Sequence, residues 1–221
     1  MSRTGWWPAA VVLALVLAPP AAADPDRGAF PLEDRLQLIV LSHSVLAIDG
    51  RTGGQREQSL ELGEQVRLTR SDGRVAIAVT DRRILAIATG SGAFQQARFV
   101  RGEAFVGQPQ LGDRVALFVT TRRVVGFDGG SGNLVEVRLG PREVVVDTAV
   151  ANSVAIAATS RRALGLSPFR GGFFEVRLRL DERRASLSAS GDIATLATGN
   201  RILTFRALSG SWEERTLGLG N

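Results

Sequence analysis

Apolar and polar positions along this chain recur in a fixed order. The apolar run Val75 to Val79 leads into a polar knuckle, Thr80-Asp81-Arg82-Arg83, and then into a second apolar run, Ile84 to Ile87. The order returns at Val115 ("VALFVTTRRVVGF") and at Val154 ("VAIAATSRRALGL"). A fourth copy starts at Ile193 ("IATLATGNRILTF") and a degenerate one at Leu36 ("LQLIVLSHSVLAI"). Leu36, Val75, Val115, Val154 and Ile193 are separated by 39, 40, 39 and 39 residues, and Ile48, Ile87, Phe127, Leu166 and Phe205 keep the same spacing. A period this constant marks a repeat architecture.

Each unit reads as short strands. In the third, Val115 to Thr120 is almost continuously apolar, which suits a strand covered on both faces. Thr121-Arg122 turns the chain into a second strand, Arg123 to Phe127. Asp128 to Asn133 ("DGGSGN") is a glycine-rich loop, and Leu134 to Leu139 alternates as a half-exposed strand does. After the turn Gly140-Pro141-Arg142, Glu143 to Thr148 reads as a fourth strand.

Four antiparallel strands repeated about every 40 residues are the signature of a propeller blade. One blade cannot cover both of its faces, so blades stack around an axis, and the apolar first strands are expected at the centre. The fold expected is all-β, a five-bladed β-propeller of ~39-residue four-stranded blades, spanning about 35–73, 74–112, 113–151, 152–191 and 192–221. The last unit stops after its third strand, Trp212 to Leu219. Residues 29–33 ("AFPLE") resemble Ala104 to Gln108 ("AFVGQ") and are expected to supply the missing strand and close the ring, which removes a free sheet edge. Pro31 fits an outermost strand.

The first 23 residues stand apart from the repeats. Arg3, the apolar stretch Ala9 to Leu17 and the small residues Ala21-Ala22-Ala23 before Asp24 read as a secretory signal peptide. From Trp6 to Leu17 the span is shorter than the ~20 residues of a crossing helix. The expectation is a periplasmic or secreted bacterial protein whose domain, 24–221, carries no transmembrane segment and acts as a monomer. There is no cysteine, so burial and backbone pairing must hold the domain together. Lysine is absent too, and without Arg3 the chain has 26 arginines against 22 acids, a surplus too small and too scattered for a nucleic-acid footprint.

The segment Val45 to Gly54 ("VLAIDGRTGG") resembles the strand and turn of quinoprotein-type, PQQ-like propeller repeats. The aspartate recurs at Asp128 and the following aromatic at Trp212. The resemblance implies a propeller repeat. It carries no quinone or calcium ligand set onto this sequence, and no cofactor is expected.

The knuckles supply the candidate site. If they share one face close to the axis, Arg82, Arg83, Arg122, Arg123, Arg161, Arg162 and Arg201 gather at one channel mouth, where paired guanidinium hydrogen bonds could hold an anion. Ordinary turn chemistry explains the same residues. Asp34, Asp72, Asp113, Asn152 and Asp192 are expected at the other mouth as turn formers. No catalytic or metal site is expected. Cys and Lys nucleophiles are absent, His43 is the lone histidine, and no G-x-S-x-G elbow or P-loop occurs. The expected function is a non-enzymatic binding or scaffold module that contacts another envelope or secreted protein. A lectin-like or small-anion binder is the alternative, and glycoside hydrolysis ranks last because the loops are short.

Overall fold

The computed structural model describes residues 36–179, 182 and 184–217. The expected leader (1–23), the closing strand (29–33) and Asp34 lie outside the described residues. Among those described, nineteen strands form five antiparallel sheets, each a simple meander. No helix there is long and apolar enough to cross a membrane.

The first sheet holds β1 (Leu36–Val40), β2 (Ser44–Asp49) and β3 (Gln55–Ser59). The second holds β4 (Val66–Asp72), β5 (Val75–Thr80), β6 (Arg83–Ala88) and β7 (Gln95–Arg98). The third holds β8 (Gln110–Leu111), β9 (Val115–Val119), β10 (Arg123–Asp128) and β11 (Asn133–Arg138). The fourth holds β12 (Val145–Ala151), β13 (Val154–Thr159), β14 (Arg162–Ser167) and β15 (Gly172–Arg177). The fifth holds β16 (Arg184–Ser190), β17 (Ile193–Thr198), β18 (Arg201–Arg206) and β19 (Ser211–Thr216).

The sheets are out of phase with the expected blades. The strand read as the fourth of a unit does not pair with the third. β12 pairs instead with β13 of the following repeat, as β4 pairs with β5 and β16 with β17. A sheet is therefore the fourth strand of one repeat followed by three strands of the next, so the second sheet spans 66–98 rather than 74–112. The cause is the tight hairpin between those two strands. In the second sheet the loop is Gly73-Arg74, between paired Asp72 and Val75, and Gly73 at its first position has a φ of 50°. A Cβ at Gly73 would lie 2.1 Å from Asp113 Oδ1, so glycine is required there for space as well.

The apolar strands expected at the centre are middle strands. β5, β9 and β13 are buried along their length because a sheet covers each face. Their alternation sets the packing. In β5, Val75, Ile77 and Val79 face the third sheet, while Ala76 and Ala78 face the first. Four apolar clusters result, one at each junction between consecutive sheets. The strand that follows the knuckle in each sheet carries a small residue followed by a large one, and the two point to opposite faces. Ala47 thus shares a cluster with Ile87, and Ala86 with Phe127. Gly126 approaches Leu166, and Gly165 lies under the Phe205 ring, 2.5 Å from where its own Cβ would stand.

The leading strands share a further feature. β4, β12 and β16 each carry a bulge, at Val66/Leu68, Val145/Asp147 and Arg184/Ser186. In the third sheet the same place is a break. Phe105 bridges Thr120, Gly107 has a φ of 73°, Pro109 offers no N–H, and pairing resumes only at β8.

Candidate functional site

In the second to fifth sheets the knuckle between the second and third strand is built by a threonine. Thr80 Oγ1 accepts from the backbone N–H of Arg82 at 3.0 Å and of Arg83 at 2.9 Å, and donates to the Arg83 carbonyl at 3.1 Å. Thr120 and Thr159 repeat all three bonds. Thr198 repeats the bonds to Arg201. This side-chain cap fixes the backbone from which the arginines of these knuckles project, two in the second to fourth sheets and one, Arg201, in the fifth.

The second arginine turns inward between sheets. Arg83 Nε and Nη2 grip Glu64 Oε1 and Oε2, both at 2.8 Å, a fork-to-fork pair. Its Nη1 donates to Gln96 on the outer strand β7 at 2.5 Å, and Nη2 also reaches the carbonyl of Ser59, the last residue of the previous sheet, at 2.8 Å. The arrangement recurs three times. Arg123 binds Glu103, Glu136 and the Arg98 carbonyl. Arg162 binds Glu143, Glu175 and the Arg138 carbonyl. Arg201 binds Glu182, Glu214 and the Arg177 carbonyl. One guanidinium thus ties the outer strand of its own sheet to the end of the sheet before and to the linker between them.

The linker glutamates are fixed from the other side as well. Glu64 accepts the Glu61 N–H at 2.8 Å, Glu103 the Val100 N–H at 2.9 Å, Glu143 the Gly140 N–H at 2.7 Å and Glu182 the Arg179 N–H at 2.7 Å. Their side chains are almost wholly buried, 0 % exposed for Glu64, Glu103 and Glu182 and 3 % for Glu143. For Glu64, Glu103 and Glu143 burial pushes the carboxyl pKa up, but the arginine, the backbone N–H and the threonine hydroxyl together hold it below the usual value of 4.5. For Glu182 the bond from Arg201 is the largest influence and the pKa is again lowered. The pKa of Arg123 is raised, because Glu103 and Glu136 outweigh the opposing effect of burial. In Arg162 and Arg201 the bond to the linker glutamate leads, and both pKa values are raised.

The seven candidate arginines therefore divide. Arg83, Arg123, Arg162 and Arg201 are occupied by the protein's own acceptors in four separate seams. Arg82, Arg122 and Arg161 stay on the exposed rim. Sequence reasoning missed the glutamates, although their signal was present. Glu64, Glu103, Glu143 and Glu182 keep the same 39, 40 and 39 spacing as the apolar positions. The aspartates noted in the sequence are turn caps. Asp49 Oδ1 accepts from Arg51 N–H at 2.9 Å, and Asp128 Oδ1 from Gly130 N–H at 2.7 Å. Of the residues expected on the opposite mouth, Asp113 and Asn152 link sheets through their backbone, accepting from Arg74 N–H at 2.9 Å and Arg114 N–H at 2.8 Å. His43 is exposed in the first knuckle. Among the described residues no group of three His, Cys, Asp or Glu is placed to hold a metal ion.

Beside the seams run two grooves on the knuckle face. One, of about 490 Å³, is lined by Val100, Thr121, Arg122, Glu136, Arg138 and Leu139. The next, of about 560 Å³, is lined by Ser160, Arg161, Glu175, Arg177, Leu178 and Arg179. On the other rim the loops 89–95 and 129–133 form a polar hollow of about 370 Å³.

No known protein family and no curated protein matches the chain. Solved structures do. A human protein, WBSCR16, is 13% identical at a TM-score of 0.41, the match covering 74% of this chain and 56% of that one. YCF48 bound to a D1 peptide is 16% identical at 0.34, covering 84% and 66%. The WD40 domain of SCAP from fission yeast is 12% identical at 0.34, covering 85% and 57%. The chain thus spans between about half and two thirds of these proteins' own length.

Proposed function

We propose that this chain is an exported five-bladed β-propeller that serves as a non-enzymatic interaction scaffold in a bacterial envelope. The observation that carries the reading is the seam. The charged groups that repeat in every unit are bound to one another between sheets, where they make a rigid wall, while the loops around that wall are short. Such a wall offers partners a fixed surface with regularly spaced grooves. The N-terminal leader pattern supports export.

Closure of the ring is part of this reading, and the packing between consecutive sheets motivates it. From the second sheet on, the large residue of the strand after the knuckle packs toward the small one of the sheet before, which leaves Ile48 of the first sheet and Thr204 of the fifth as the remaining pair. Ile48→Cys in this cysteine-free chain tests it, read by the rate at which a maleimide labels the folded protein. In a closed ring the thiol at position 48 should be as protected as that of the control Ile87→Cys, whose residue is buried, and both should label only in urea. Fast labelling at position 48 beside a protected control would mean an open array.

The scaffold reading is tested by cross-linking the exported protein in its own periplasm and identifying what is joined to it, with a glycan array run in parallel. A specific protein partner is expected. A glycan signal without a protein partner would favour the lectin-like alternative, the polar hollow between loops 89–95 and 129–133 being its natural seat.

A further inference from the structure

The second and third sheets differ at one rim position, which carries a glutamate in one and a valine in the other. In the second sheet the Glu61 carboxylate lies between Arg82 of the knuckle and Arg98 at the end of β7. Glu61 Oε2 accepts from Arg82 Nη1 at 3.1 Å, and Oε1 accepts from Arg98 Nη2. These two arginines hold the Glu61 carboxyl below its ordinary pKa, Arg98 more strongly. All three side chains are substantially exposed, so the grip forms at the surface.

The next two sheets repeat the two arginines of the grip without its carboxylate. By the period of the chain, Glu61 corresponds to Val100 and then to Gly140, Arg82 to Arg122 and Arg161, and Arg98 to Arg138 and Arg177. The pairing register agrees, since Arg98, Arg138 and Arg177 stand opposite Arg83, Arg123 and Arg162. Val100, Arg122 and Arg138 all line the first groove, Arg161 and Arg177 line the second, and Gly140 borders the first groove. A Cβ on Gly140 would lie 3.4 Å from Arg161 Nη1, so a side chain there would reach that guanidinium. Among the described residues no carboxylate is bonded to Arg122, Arg138, Arg161 or Arg177. In the fifth sheet Asn200 and Thr216 replace both arginines and Arg179 replaces the glutamate, so the grip ends there.

We infer that the arginine pairs Arg122/Arg138 and Arg161/Arg177 are two adjacent carboxylate grips for an extended acidic segment of a protein partner, with Glu61 acting as a built-in copy of the ligand. The inference rests on the scaffold reading and gives the partner's chemistry. A single carboxylate shared by two guanidinium groups is the geometry Glu61 already displays, and side-by-side grips on consecutive sheets suit a strand-like chain bearing Asp or Glu.

The test uses the full chain and a fluorescein-labelled peptide of alternating Gly and Glu, with the Gly-Gln peptide as control, read by anisotropy at low salt. The acidic peptide should bind and the control should not. Arg122→Gln with Arg138→Gln should weaken binding about tenfold. Val100→Glu should weaken it comparably, because the chain's own carboxylate then fills the grip with every arginine in place. Glu61→Val should tighten binding by freeing a third grip. Leu208→Glu, an exposed position on a loop joining the third and fourth strands, controls for charge alone and should change affinity less than about twofold. Thermal melts confirm that each variant is folded. A Val100→Glu effect no larger than that of Leu208→Glu would overturn the inference, as would equal displacement of the peptide by inorganic phosphate. A cross-linked periplasmic partner without an acidic segment would end this inference and leave the scaffold standing. Absence of any protein partner would end the scaffold reading itself.

Discussion

Arg82 and Arg83 are neighbours in sequence and opposites in structure. Arg83 belongs to the seam, where its side chain is 4 % exposed and each of its three donor groups finds an acceptor. Arg82 belongs to the rim, 41 % exposed, with one surface carboxylate and one carbonyl. The side chains are chemically identical. What differs is the solvent each has lost, so the same charge locks sheets together in one place and faces outward in the other. A buried charge must keep its partner, whereas an exposed one can exchange it.

The sharpest way to break this contrast is Arg83→Leu. It leaves Glu64 buried without its counter-charge and should cost about 3–5 kcal/mol, read from urea denaturation. Adding Glu64→Leu to it should recover much of the loss, since no lone charge then stays in the seam. A double variant as unstable as the single one would show that the seam is not an electrostatic device.

Next in size is the apolar half of the seam. Gly165→Val places atoms against the Phe205 ring and should destabilise by about 1–3 kcal/mol. The same change at Gly92, where a Cβ would meet nothing, should be far milder.

Acid should loosen the seams before the rest. The linker glutamates have lowered pKa values in the folded chain. The stability they contribute is therefore fully present above the usual carboxylate value of 4.5 and is lost as pH falls through their lowered values. Melting temperature should be flat from pH 7 down to about 5 and then drop. Glu103→Gln should flatten that drop by one group's share. An unchanged acid profile would remove Glu103 from the account.

The smallest effect belongs to the rim. Arg82→Leu should change stability by less than about 1 kcal/mol in the same urea measurement. A loss as large as that of Arg83→Leu would erase the distinction between rim and seam.

Much of this arrangement was legible in the residues. The period exposed five units and their short strands, and the almost continuous apolar character of Val115 to Thr120 announced strands covered on both faces. The glutamates were legible too, at the same spacing, but nothing in a linear reading couples Glu64 to an arginine 19 residues on. The Gly73-Arg74 turn was legible as well, but a repeat period does not say which strands pair across a turn, so the leading strand belongs to a different sheet from the one expected. The third sheet's broken leading strand traces to Gly107 and Pro109, local exceptions that an averaged repeat conceals.

The sequence by itself determined the count of units, the alternation of large and small apolar residues, and the presence of two basic side chains at most knuckles. Those follow from local periodicity, which a strand enforces residue by residue. Only the tertiary structure decided where a sheet begins and which arginine is buried. A periodic pattern has no origin of its own, and two adjacent identical side chains differ only in what the neighbouring sheet brings up against them.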